Sequence, residues 1–124
     1  MSTSQIPQPT DLHVLQGQTE TITSTYTDES DVAVDLSSYT IARMTVATGY
    51  LNNASRTVVF TLTHLDGIDL TNALTGVIVT VMSATRTSLL TDRNYYYDLE
   101  LEDDSGDVIR LIWGKLYVKP ETTD

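Results

Sequence analysis

Apolar and polar residues alternate with a period of two along most of this chain, the spacing of a β-strand with one buried face. The clearest run covers residues 95–102. Tyr95, Tyr97, Leu99 and Leu101 fall on one face, and Tyr96, Asp98, Glu100 and Glu102 on the other. Residues 40–48 place Ala42, Met44 and Val46 inward, with Arg43 and Thr45 toward water, and residues 57–63 do the same with Val58, Phe60 and Leu62. Residues 19–27 set Thr21, Thr23, Thr25 and Thr27 against Ile22, Ser24 and Tyr26. Leu12–Leu15 reads as a first strand and residues 32–36 as a short one. Val77–Met82 is almost continuously apolar, which predicts a central strand or one covered on both faces. Two stretches have helical character: a single turn over residues 69–74 capped by Asp69, and the connection over residues 83–92 around Leu89 and Leu90.

Turn residues punctuate these runs. Asp103-Asp104-Ser105-Gly106 joins residues 95–102 to residues 108–118 as a hairpin, with Gly106 available for positive φ. The register that keeps the faces consistent predicts Leu101 opposite Ile109, Leu99 opposite Leu111, Tyr97 opposite Trp113, and Glu100 opposite Arg110. Leu116 and Val118 then come one residue out of phase, and Gly114 reads as the bulge that resets the alternation. About seven short strands without crossover helices predict two antiparallel sheets packed face to face. The expected fold is therefore all-β, an immunoglobulin-like antiparallel β-sandwich over residues 11–120. An extended N-terminal arm over residues 1–10, holding Pro7 and Pro9, is expected outside the sheet, and residues 121–124 form a tail. Tyr95 and Tyr97, following a connecting loop, resemble the tyrosine corner of such sandwiches.

Composition narrows what such a domain does. The 124 residues hold 17 acidic and 7 basic side chains, a formal net charge of -10. That balance repels a phosphate backbone and argues against nucleic acid as a partner. No apolar run approaches the ~18 residues of a membrane-spanning helix, and none of the 124 residues is Cys. Threonine occurs 21 times, in keeping with a sheet protein. The start, Met1-Ser2-Thr3-Ser4-Gln5, has neither the basic nor the apolar region of a secretory signal, so synthesis in the cytoplasm is expected.

Candidate chemistry is sparse. His13 and His64 lie on or beside strands without a partner at metal-ligand spacing, and no serine or threonine sits on a strand-to-helix elbow. Asp98, Glu100 and Glu102 alternate along one strand face rather than flanking a cleft. The acidic turns 28–31 and 102–107 lack the spacing of a calcium loop, and Asp, Ser and Gly are what such turns need in any case. No catalytic residue, cofactor or metal is expected, and the chain reads as a non-enzyme.

One resemblance adds to this reading. Tyr95-Tyr96-Tyr97-Asp98-Leu99-Glu100-Leu101, an acidic Gly turn, then Ile109-Arg110-Leu111-Ile112-Trp113-Gly114-Lys115-Leu116-Tyr117-Val118-Lys119-Pro120-Glu121-Thr122 is similar to a pattern of small tailed-phage structural proteins, including the N-terminal domain of phage baseplate upper proteins. Asp92-Arg93-Asn94 departs from it, since the family places Gly before the first Tyr. The resemblance implies a multi-copy adaptor or attachment module at the tail, baseplate or neck of a virion, assembled in the host cytoplasm. Its partners would be other virion structural proteins and copies of itself, with neither nucleic acid nor membrane. Capsid decoration is the alternative; a receptor- or carbohydrate-binding module, through Tyr50-Leu51-Asn52-Asn53, is a second. The residues expected to grip partners are Ile6, Pro7 and Pro9 in the arm, Tyr117, Lys119 and Pro120 near the tail, and Tyr50 and Tyr96. Tyrosine buries a large area with few rotors to freeze.

Overall fold

A computed structural model describes residues 8–28, 30–48, 56–92 and 94–120. Among them, nine strands form two sheets. In the large sheet, β1 (Gln8–Pro9) and β2 (Leu12–Leu15) pair one after the other along β9 (Val108–Lys119). The sheet continues through β8 (Asn94–Asp103) and β4 (Tyr39–Ala47) to β5 (Val58–Thr63). The small sheet runs β3 (Glu20–Thr25), β7 (Val77–Met82), β6 (Ile68–Asp69). The order β9-β8-β4-β5 facing β3-β7-β6 is that of an immunoglobulin sandwich of variable type. The protein is an all-β immunoglobulin-like sandwich.

Period-two patterning builds the core between the layers. Ala42, Met44 and Val46 of β4, Phe60 and Leu62 of β5, Tyr95, Tyr97, Leu99 and Leu101 of β8, and Leu116 and Val118 of β9 are all buried. They meet Ile78 and Met82 of β7. Each fully buried aliphatic side chain stabilises by roughly 1.5–3 kcal/mol relative to exposure. Tyr95 forms the corner that the sequence suggested: its hydroxyl accepts the Asp92 backbone N–H at 2.9 Å, just before β8 begins. Tyr97 does something else, donating its hydroxyl to the carbonyl of Thr10. Burial pushes the Tyr97 phenol well up, with the phenol of Tyr26 and the carboxylate of Asp11 adding to the shift. Burial also carries the Tyr26 phenol up to about 12.

Several expectations are corrected. The described end of the arm, residues 8–10, does not stay outside the sheet: Gln8 and Pro9 pair in parallel with Ile112 and Trp113, and Thr10 N–H donates to the Trp113 carbonyl at 2.8 Å. The large sheet is accordingly mixed, since β2 also runs parallel to β9. In the β8–β9 hairpin, Leu101 faces Ile109 and Glu100 faces Arg110 as expected, but Leu99 faces Ile112. The extra residue is thus Leu111, and Trp113 comes opposite Asp98 rather than Tyr97. Gly114 is needed for a close approach instead: a Cβ there would lie 2.6 Å from the Thr10 carbonyl oxygen.

Smaller differences follow from local hydrogen bonding. β7 is central in its sheet but covered on one face only, with Val77 and Val79 half-buried and Val81 exposed. Residues 32–36 make a single bridge, Thr27 to Ala33, instead of a strand, because the Asp28 carboxylate holds the N–H groups of Ser30 and Val32 in a turn. The helical turn near residue 70 is a 3-10 turn at Ala73–Thr75. Asp69 does not cap it and accepts from Thr71. Helix α1 spans Ala84–Thr87 and is capped by Ser83, whose hydroxyl accepts from Arg86 N–H.

Candidate functional site

Because alternate residues share a face, Trp113, Lys115, Tyr117 and Lys119 of β9 stand together on the outer side of the large sheet, opposite the buried Leu116 and Val118. Register sets their neighbours. Trp113 faces Asp98, Lys115 faces Tyr96 and Tyr117 faces Asn94 on β8; on the other side Tyr117 faces His13 and Lys119 faces Leu15 of β2. The His13 and Tyr117 rings stack with centroids 5.0 Å apart and planes 21° from parallel. The Arg110 guanidinium lies 4.8 Å from the Trp113 ring centroid, a cation–π contact of roughly 0.5–1 kcal/mol at an exposed site. The result is a strip of aromatic rings interleaved with Arg110, Lys115 and Lys119. It ends in an open groove of about 430 Å³ lined by His13, Leu15, Tyr117, Lys119 and Pro120 with the edges of Val14 and Val118.

The arm fixes this strip. The Asp11 carboxylate accepts the Lys115 backbone N–H at 3.1 Å, the Gln16 N–H donates to the Lys119 carbonyl at 2.9 Å, and Tyr97 holds Thr10 from below. These bonds seat β2 so that His13 meets Tyr117. Opposite Trp113 on β8, Asp98 is buried. Desolvation holds its carboxyl above the usual range, and the neighbouring Glu100 charge pushes the same way. Glu100 and Glu102 are engaged by Arg43 at 3.3 and 3.2 Å.

Of the residues expected to grip partners, Tyr96, Tyr117, Lys119 and Pro120 come together on this surface, Tyr96 beside Lys115 and the other three at the groove. Pro9 lies in β1, paired with Trp113. Ile6, Pro7 and Tyr50 lie outside the described residues. Sequence reasoning missed His13, placed on or beside a strand without a role, and Trp113, set opposite the inward-facing Tyr97. The signal for Trp113 was present: it alternates with Lys115, Tyr117 and Lys119. The parallel pairing that brings His13 to Tyr117 leaves no trace in local sequence.

Other polar groups are occupied in shaping the fold. His64 Nδ1 accepts the Ala42 backbone N–H at 3.3 Å. It borders a second groove, of about 490 Å³, with Tyr39, Asp69 and Leu74. Arg86 makes a two-pronged pair with Asp66, one contact at 3.1 Å, which ties α1 to the β5–β6 turn. The guanidinium holds the Asp66 carboxyl below its ordinary range. Asp103 accepts the N–H groups of Ser105 and Asp107 and so closes the hairpin turn.

No family model matches the chain, and no curated protein matches it. Among solved structures, CopC from Methylosinus trichosporium OB3b is similar in shape, with a TM-score of 0.47 at 10% identity, over 92% of this chain and 88% of that one. At that score the likeness carries neither ligand nor role to this chain. The expectation of a tailed-phage virion protein is corrected to the sandwich fold alone: neither a family model nor a curated protein supports that role. The adaptor and decoration readings fall with it, and residues 50–53, on which the receptor-module reading rests, lie outside the described residues.

Proposed function

We infer that this domain is a non-catalytic protein-binding module. Its contact surface is the strip formed by β2, β8 and β9, and its partner is an acidic protein segment carrying apolar side chains. The observation that carries this reading is the His13–Tyr117 stack with Lys119 beside it at the groove. Rigid aromatic rings supply area at low entropic cost, and aromatic and arginine side chains are where binding energy concentrates. Lys115, Lys119 and Arg110 supply positive charge on a chain whose net charge is -10, so they select carboxylates and steer their approach. The groove is shallow and open, which suits a segment laid across it better than a small substrate enclosed for chemistry.

Trp113 is the sole tryptophan and reports directly on the strip. Titration with an octapeptide of alternating Glu and Leu is expected to change its emission, with an affinity that falls as salt rises. Tyr117→Ala and Lys119→Glu should each weaken binding about tenfold or more, the equivalent of about 1.4 kcal/mol. Equal binding of the matching Lys–Leu peptide, or full binding by Tyr117→Ala, would count against the assignment. So would an emission spectrum that no peptide concentration alters.

A further inference from the structure

Sheet edges invite other strands, and proteins blunt them with short strands, proline, bulges or charges. Three margins of this sandwich carry such a device. Along β9, β1 includes Pro9, while β2 has its Leu15 N–H occupied by the Glu20 carboxylate at 2.8 Å. At the far side of the large sheet, β5 is bulged: Val46 faces Phe60 and Ala47 faces Val58, leaving Val59 as the extra residue. β6 is two residues long. β3 carries only one of these, a charge at its first residue, Glu20, whose carboxylate is taken up by the Leu15 N–H. Its six residues keep an unbroken register with β7, from Glu20 opposite Met82 to Thr25 opposite Val77, and they include no Pro, Lys or Arg. Among the described residues, its backbone pairs with β7 alone. Thr21, Thr23 and Thr25 are exposed and stand beside Val81, Val79 and Val77, an uncharged β-branched face next to an open edge.

We propose that β3 is a self-association edge: two copies of this chain pair their β3 strands antiparallel about a twofold axis at Thr23. The two small sheets then join into one of six strands. An extended strand can replace water along the whole row of open N–H and C=O groups of such an edge, and this strand is its own complement. Keeping outward side chains on the outward face places Thr21 opposite Thr25 of the second copy and Thr23 opposite Thr23, pairs that are favourable across strands. Ile22 comes opposite Ser24 on the core side. Glu20 comes opposite Tyr26, roughly 20 Å along the strand from its twin, so no like charges meet. Charge also selects the place. Two copies at -10 each repel one another over most of their surface, and over residues 21–25 of β3 a second copy meets no charged side chain. A twofold contact closes on itself, as most soluble homo-oligomers do.

The test uses the full chain in sedimentation velocity over a concentration series, with circular dichroism of every variant to show that it remains folded. The wild type is expected to pass from monomer to dimer as concentration rises, and β3 amides should gain hydrogen-exchange protection in step. Thr23→Lys and Thr23→Glu each set like charges face to face across the axis, and each should weaken the dimer about tenfold or more, the equivalent of about 1.4 kcal/mol. Mixing the two variants should restore it, and Thr23→Val should leave it intact. A wild type that stays monomeric at every concentration overturns the proposal, as does a Thr23→Lys variant that dimerises normally or a mixture that fails to recover. None of these substitutions touches Trp113 or Tyr117, so peptide binding at the strip is expected to survive them.

Discussion

The large sheet continues past β9 to β1 and β2, whereas the small sheet stops at β3 among the described residues, and the chain treats the two strands in opposite ways. β9 is covered along its outer margin by β1 and β2, and the cover is fastened by residues far apart in sequence: Gly114 makes room, Asp11 binds Lys115, and Tyr97 holds Thr10. Among the described residues β3 is left open and needs nothing beyond threonines that suit a pleated strand. The comparison teaches that a covered edge is specified by a few irreplaceable contacts, whereas an open one is specified by repetition. Substitutions should therefore hurt much more at the first than at the second.

The largest effect is expected at Gly114. A Cβ there would meet the Thr10 carbonyl oxygen at 2.6 Å and the Asp11 carboxylate at 3.0 Å, and backbone cannot step aside as the end of a flexible side chain does. Gly114→Ala should cost about 1–3 kcal/mol of stability, and Gly114→Val more, read as a lowered urea midpoint. Hydrogen exchange should place the loss at β2 and at the β9 amides facing it. An unchanged midpoint would mean that the arm is not seated on β9, and the contrast between the two edges would collapse.

Tyr97→Phe makes a milder cut at the same place. It keeps the buried ring and removes the hydroxyl that donates to Thr10, so about 0.5–1.5 kcal/mol should go. Faster exchange at residues 10–15, with β3 unaffected, would sharpen the distinction between the edges. Equal loosening of both would erase it.

Where sequence reasoning succeeded and where it failed follows the same division. The faces of β4 and β8, the pairing of Glu100 with Arg110 and the corner at Tyr95 were readable because each depends on alternation or on neighbours a few residues away. The bulge was misplaced because Ile109-Arg110-Leu111-Ile112-Trp113 offers apolar residues in succession, and local alternation does not choose among them. The arm helps decide: Thr10 needs the space over Gly114, and Trp113 must stand outward for Arg110 to lie over its ring. The candidate site was half readable for the same reason. Tyr117, Lys119 and Pro120 share one strand end, but His13 reaches Tyr117 only through a parallel pairing that links residues about a hundred positions apart.

The smallest expected effect concerns Asp98, which lies on the covered side and has no counterpart on β3. Its carboxyl is raised above the ordinary range, first by burial and then by the charge of Glu100. A carboxyl raised in the folded state favours folding while it is protonated, and that contribution is lost as pH climbs through its folded value. Asp98→Asn stays neutral at every pH. The variant should therefore match the wild type in acid and melt above it at neutral pH, the gap opening as pH rises past the ordinary carboxyl range near about 4. Thermal melts of both proteins from acid to neutral pH decide the matter. Parallel curves would mean that Asp98 is as well solvated as an open-face carboxylate, and that its burial does not set its charge.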